Sequence, residues 1–356
     1  MENKKKVVFY YPDMYCGGVE MAILNLAKEI YKDYDLYFFY KSISDLEIAK
    51  ELCKYGTPRN IMGEQSSFEC DTLIYCSLWV ESEDRVSFVK ARQRILWSHA
   101  MVPPSGTKFH NLPFMRKIDK VISVSEAADK TIPKFYYTPK MLNKFYVINN
   151  IVNTKEVKRK AELETPQMNL AKDLNICTVA RLSHEKGWHR VKLLCDEFIK
   201  MGIDFKWFII GEGYFPEELN KIHSLLDKYP QIEFLGKKEN PFPYEKQVDY
   251  TALLSDFESW GLAITEGKIL GKPIICTDFP AAYEQVENDI NGVIIPMTNF
   301  RRYRSCAYRI YNNKENYKAR AQKFDFDKVN EQSIEKWKKI IESERSEKVV
   351  WQEENQ

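Results

Sequence analysis

Short runs of apolar, β-branched and aromatic residues alternate along this chain with longer stretches whose apolar positions recur at helical spacing. In the first half the runs are KVVFYY (6–11), DLYFFY (35–40), TLIYCS (72–77), RILWSH (94–99), KVISVS (120–125) and KFYVINN (144–150). In the second they are NICTVA (175–180), KWFIIG (206–211), IEFLG (232–236), YTALLS (250–255), KPIICTD (272–278) and GVIIPM (292–297). Most are nearly continuous in apolar character, which predicts strands buried on both faces, in parallel sheets covered by helices. Two such series predict an α/β chain of two Rossmann-like domains.

The 356 residues fit that division. The expected domains are 1–165, completed by a C-terminal helix at about 330–356, and 166–329. TKEVKRKAELETPQMNLAK, polar and carrying Pro166, falls in the interval 151–172 that reads as the linker. Beyond Pro296 the chain turns polar and helical, and IEKWKKIIESERSEK (334–348) reads as a charged amphipathic helix.

Hydrophobic content of 44% with 29% charge describes a globular protein, and a net charge of +2 gives no basis for nucleic-acid binding. Eight scattered cysteines without a CxxC pair suit a reducing cytoplasm better than disulfides or zinc. The N-terminal apolar run is too short for a signal peptide or a spanning helix. Residues 101–150 are locally basic, with eight Lys/Arg against three Asp/Glu. There KFHNLPFMRKIDK (108–120) and KFYYTPKMLNKFY (134–146) interleave cations with aromatic residues. Such a face could rest on an anionic membrane surface, peripheral on its cytoplasmic side; core aromatics with a charged rim explain it nearly as well.

In parallel α/β sheets ligands bind beyond the carboxyl ends of strands, and four loops there carry chemistry. After the first strand, Gly17-Gly18 lets amides approach a ligand at a helix N-terminus that favours anions; a plain tight turn would also give this pair. In NICTVARLSHEKGWHR, Arg181 and Lys186 beside a helix start could hold a diphosphate, although a solvated charged loop has the same composition. In FESWGLAITEGKILGKP, Glu258 precedes a helix starting near Gly261. Glu266 lies about 7 to 8 Å further along its axis. A phosphate at the amide-rich tip would then have one carboxylate on each side. Carboxylates accept from vicinal sugar hydroxyls, so Glu266 suits a ribose and Glu258 a hexose. In RILWSHAMVPP, His99 ends a strand and would face the interdomain cleft; a structural role is the commoner one for a lone histidine. His110, His184, His189 and His223 carry no such signal.

Other signatures are poor. GEG (211–213) lacks the third glycine of a dinucleotide fingerprint, no P-loop appears, and DYD (33–35) and DFD (325–327) are misplaced for a metal-binding Asp-x-Asp.

The loops together resemble the retaining GT-B glycosyltransferases of glycosyltransferase family 4. The likeness runs from GGVE through VISVSE, VINNIVN, VARLSHEKG, IIGEG, FLG and NPFPYEKQVDY to the Glu-seven-Glu segment, LGKPIICTD and NGVIIP. It is similar to members that build bacterial capsule, O-antigen and exopolysaccharide chains. The resemblance implies two Rossmann-like domains with parallel sheets facing across a cleft and a C-terminal helix crossing back to the first. It implies a hexosyltransferase that moves a sugar from a nucleotide diphosphate sugar, UDP-linked by preference, to a glycan or lipid-linked glycan. Arg181 and Lys186 would bind the phosphates, Glu266 the ribose and Glu258 the transferred sugar. The Ser259-Trp260-Gly261-Leu262 turn would meet phosphate and sugar, Gly17 and Gly18 would close over the diphosphate, and His99 would sit at the reacting centre. No metal or other cofactor is implied. Two departures stand out: Ser259-Trp260 replaces the frequent Gly-Phe, and Glu266-Gly267 the frequent Glu-Ala. A GT-B nucleotide-sugar epimerase, or a pseudo-transferase acting as a partner subunit, would share the fold.

Overall fold

A computed structural model describes residues 4–14, 17–43, 46–63, 66–76, 86–99, 112–132, 144–213, 215–323 and 325–344. The chain divides into two compact units, one of residues 1–151 and 328–356, the other of 152–327.

The first unit holds a seven-stranded parallel sheet: β1 (Lys6–Tyr10), β2 (Asp35–Tyr40), β3 (Thr57–Asn60), β4 (Phe68–Tyr75), β5 (Val89–Ser98), β6 (Lys120–Ser123) and β7 (Phe145–Val147), in the order β3-β2-β1-β4-β5-β6-β7. The second holds a six-stranded parallel sheet: β8 (Leu174–Val179), β9 (Phe205–Ile210), β10 (Ile232–Gly236), β11 (Tyr250–Leu253), β12 (Ile274–Thr277) and β13 (Gly292–Ile295), in the order β10-β9-β8-β11-β12-β13. Each of the twelve expected runs contains or overlaps a strand. Within these two sheets the unforeseen strand is β3, whose sequence TPRN carries no apolar stripe; a separate short pairing of Asp13–Met14 with Ser42–Ile43 is likewise unforeseen. Strand β3 lies at the sheet edge, where a proline removes no essential ladder bond.

The helices that matter here are α1 (Gly18–Ile30), α2 (Thr154–Ala161), α3 (Trp188–Lys200), α4 (Phe242–Glu245), α5 (Leu262–Ile269), α6 (Ala282–Gln285) and α7 (Phe326–Glu342). The expected linker is not free chain, because α2 lies inside it. Asn153 caps α2 by accepting from the Glu156 amide at 2.8 Å. Val157 and Ala161 then pack with Phe242 and Ile269. Only two apolar positions one turn apart mark this helix, too narrow a stripe to stand out among its lysines. The division at 151/152, ahead of the expected 165/166, follows from that packing.

From Lys328 onward the chain belongs to the first unit. Helix α7 buries Trp337, Ile340 and Ile341, and Trp337 meets Trp97 edge-on with ring centroids 4.7 Å apart. Its C-terminal carbonyls are capped from within the sheet. Gln93 Nε2 donates to the carbonyls of Ile340 (3.3 Å) and Ile341 (3.0 Å). Lys120, 1% exposed, donates to the Glu344 carbonyl at 2.8 Å and to Gln93 Oε1 at 3.0 Å. A cation placed there satisfies the open end of the helix and complements its dipole.

Of the aromatic-basic stretches 108–120 and 134–146, residues 108–111, His110 among them, and 134–143 lie outside the described residues. Among the described residues no helix is long and apolar enough to cross a membrane.

Candidate functional site

In the second sheet the strand order reverses between β8 and β11: β9 and β10 lie to one side, β12 and β13 to the other. Loops leaving adjacent strands at such a switch point diverge and open a crevice. Arg181 and Lys186 leave β8, and Glu258 leaves β11, so three expected site residues come from these two strand ends.

The two loops are stitched together. Lys186 Nζ donates to Glu258 Oε1 at 2.7 Å, and Ser255 Oγ donates to the same oxygen at 2.7 Å. The Asp256 amide donates to the Glu185 carbonyl at 2.7 Å. Behind them Arg190, 5% exposed, donates to the Leu254 carbonyl at 3.0 Å and pairs with Asp256 at 2.6 Å. Gly187 permits this closeness. It stands between a single 3-10 turn (His184–Lys186) and α3 with φ of 70°, and a Cβ there would lie 2.0 Å from the Leu254 carbonyl oxygen. Trp188 pins the loop from below, its indole donating to the carbonyls of Leu182 (3.0 Å) and Ser183 (3.1 Å).

Within this frame Lys186 and Glu258 are mostly covered, with side chains 14% and 16% exposed, whereas Arg181 is 52% exposed and, among the described residues, pairs with Glu185 at 3.4 Å. The covered pair is therefore fixed and the arginine is free to swing. Ser259 and Trp260 lead into α5, whose first residue is Leu262; Gly261 precedes it in a left-handed conformation.

Glu266 sits further along α5. Burial pushes its carboxyl up to about 7, with Lys160 of α2 opposing the shift. Close by, Glu245 of α4 is fully buried and raised to about 8, first by burial and then by the charge of Glu266. Thr251 donates to it at 3.2 Å. Gly267 explains one departure: a Cβ there would lie 2.7 Å from both Cβ and Oγ1 of Thr251, so this helix can approach β11 only with glycine.

Glu245 makes stability depend on pH. Its folded value lies above the ordinary 4.5, so between about 4.5 and 8 the folded state holds a proton that the unfolded state has lost. Stability from this residue thus falls as pH rises through that window. Glu245→Gln, which needs no proton, should melt above the wild type at pH 8, and the gap should close towards pH 5 in thermal scans. Equal melting temperatures at pH 8 would contradict the assignment.

Gly17, Gly18 and His99 belong to the first unit. There Gly17 precedes α1 after β1, and His99 follows β5; the order β1-β4-β5 puts both at the carboxyl edge, one strand apart. Glu20 is buried in the first turn of α1, close enough that a Cβ on Gly17 would lie 3.1 Å from its carboxylate. A negative side chain thus already attends that helix tip. His99 packs on Trp97 with ring centroids 4.3 Å apart, and burial lowers it to about 3, so it is neutral near pH 7.

Residues 161–323 match the family model of glycosyl transferases group 1. Over 224 residues the chain is 26% identical to the N-acetylgalactosamine-N,N'-diacetylbacillosaminyl-diphospho-undecaprenol 4-alpha-N-acetylgalactosaminyltransferase of Campylobacter jejuni, spanning 60% of this chain and 58% of that one. It is 22% identical to an uncharacterized glycosyltransferase of Haemophilus influenzae, across 95% of this chain and all of the other. Anabaena Alr3699/HepE, solved with UDP and glucose, superposes with a TM-score of 0.76 at 16% identity, covering 94% of this chain and 99% of its own. At that identity the likeness is one of fold: two Rossmann-like domains of parallel sheets, as in GT-B glycosyltransferases.

The matched region contains Arg181 and Lys186 after β8, Glu258 after β11 and Glu266 within α5; of these, Lys186 and Glu258 are in direct contact, Arg181 pairs with Glu185, and Glu266 neighbours Glu245. Sequence reasoning missed Arg190, Asp256, Ser255 and Glu245. Arg190 left one trace, a cation on the apolar stripe of α3 beside Val191 and Leu194.

Proposed function

We propose that this protein is a retaining, metal-independent hexosyltransferase that moves a sugar from a nucleotide diphosphate sugar, UDP-linked by preference, to a glycan or lipid-linked glycan acceptor. The observation that carries the reading is the Lys186–Glu258 pair, 2.7 Å apart and mostly covered, at the switch point of the second sheet. A cation so placed can face the leaving diphosphate while its carboxylate partner holds the sugar. Glu258 Oε1 is already engaged, so Oε2 would accept from a sugar hydroxyl, and Glu266 would take the ribose.

Cleavage of the bond from sugar C1 to the phosphate oxygen puts negative charge on the diphosphate and positive character on the sugar. Lys186, a recruited Arg181 and the first amides of α5 would stabilise that anion without reorganising. The acceptor hydroxyl would attack from the face the diphosphate leaves, its proton passing to a departing phosphate oxygen. The Anabaena neighbour contains UDP. The Campylobacter relative is named for a diphospho-undecaprenol, in keeping with a lipid-linked acceptor.

The test is nucleotide release from a panel of UDP- and GDP-sugars, with and without short glycan and polyprenyl-diphosphate acceptors, in the presence of EDTA. Release that requires acceptor and survives chelation is expected. Release without acceptor would indicate an epimerase or hydrolase instead, and no binding of any nucleotide would end the proposal.

A further inference from the structure

Behind the turn that opens α5 runs a closed circuit of hydrogen bonds. Trp260 Nε1 donates to Thr265 Oγ1 at 3.1 Å, and Thr265 Oγ1 donates to Gln285 Oε1 at 2.7 Å. Gln285 Nε2 then donates back to the main-chain carbonyl of Trp260. The main-chain carbonyl of Gln285 is itself held by Lys268 Nζ. All four residues are buried, between 4% and 8% exposed. Donors and acceptors alternate around the circuit without conflict. A hydroxyl can accept from an indole and donate onward, and only one orientation of the glutamine amide serves both of its neighbours.

The circuit grips Trp260 twice, at the end of its side chain and at its carbonyl. The carbonyl belongs to the Trp260–Gly261 peptide, which leads directly into the left-handed Gly261 and the first amides of α5. Rotating that peptide would break the bond from Gln285 and strand a buried amide. Phenylalanine at 260 could fill the space but could not donate, which accounts for tryptophan at this position.

We infer that Gln285, together with Thr265 and the Trp260 indole, positions the donor site by locking the Trp260–Gly261 peptide, so that Glu258 and the tip of α5 keep one geometry towards the diphosphate sugar. None of the three side chains needs to touch the ligand. The inference rests on the donor-site reading given above.

Its test measures UDP affinity by calorimetry and melting temperature for Gln285→Leu, Trp260→Phe and their double variant. Thr265→Val and Thr265→Ser complete the set, and Ile275→Val serves as a core-weakened control in β12. Losing one circuit bond should weaken UDP about tenfold. The double variant should be no weaker than the worse single one, because either change opens the same circuit. Thr265→Ser keeps the hydroxyl and should restore the affinity that Thr265→Val loses, while Ile275→Val should lose stability but not affinity. Unchanged UDP affinity in Gln285→Leu and Thr265→Val, with melting lowered as in the control, would reduce the circuit to a structural feature and leave the donor site standing. If the wild type bound neither UDP nor another nucleoside diphosphate, the donor-site reading would fall and this inference with it.

Discussion

Lys186→Ala should lower acceptor-dependent turnover by about 10² to 10³ while the protein stays folded. The lysine is held at 2.7 Å from Glu258 with only 14% of its side chain exposed, so its charge reaches the site little screened by water. Its removal leaves Glu258, among the described residues, with the Ser255 hydroxyl as its remaining hydrogen-bond donor. An unpaired carboxylate that is mostly covered should reduce stability by about 1 to 3 kcal/mol, less than for a fully buried pair. Arg181→Ala should be gentler on stability, since that side chain is half exposed and its one carboxylate contact is 3.4 Å. Lysine's point charge is not replaced by arginine's fork in so narrow a setting, so Lys186→Arg should recover stability better than rate. The measurements are steady-state nucleotide release and thermal melting on the same preparations. Turnover within tenfold of wild type in Lys186→Ala would remove this lysine from the chemistry.

Gly187→Ala should be the more damaging change to the molecule. Residue 187 has φ of 70°, which costs about 1 to 2 kcal/mol for a residue with a side chain. The added methyl would also press on the Leu254 carbonyl from 2.0 Å, a main-chain atom that cannot swing aside. Overpacking of that kind adds about 1 to 3 kcal/mol. The strain falls on the seam joining the loops after β8 and β11, so a folded fraction should also show weakened nucleotide binding. Urea unfolding followed by calorimetry with UDP would separate the two effects. A variant as stable as wild type would mean that this seam is looser than its distances say.

The framework of the fold was legible because strands buried on both faces must be apolar along their whole length, and each such run announces itself. What escaped notice lacked that property. Strand β3 at an open edge has no face to bury, and α2 hides two apolar residues among four lysines and arginines. The site divides along similar lines. Arg181, Lys186 and Glu258 stand in loops after strand ends and Glu266 one turn into the helix that follows, where position in the repeating pattern already implies a role. Arg190 and Asp256 are paired across 66 residues of sequence, and Gln285 meets Trp260 across 25, with no local periodicity to connect them. Glu245 is harder still, since it sits in a proline-flanked polar segment with no apolar stripe, and its packing against β11 shows the carboxyl to be enclosed. Gly267 reads as a departure from the frequent Glu-Ala, and its reason lies in Thr251, which leaves no room for a methyl there.

The first sheet keeps two of its polar side chains, Gln93 and Lys120, for carbonyls contributed by residues 340–344. On the ribosome those carbonyls emerge only after the whole of the second unit. Through most of synthesis the amino-terminal unit must therefore wait with an uncapped lysine and a bare Trp97 face, although nearly all of its own strands have long since emerged. Its maturation is timed by residues that follow the intervening unit in the chain, after that unit has had the opportunity to fold.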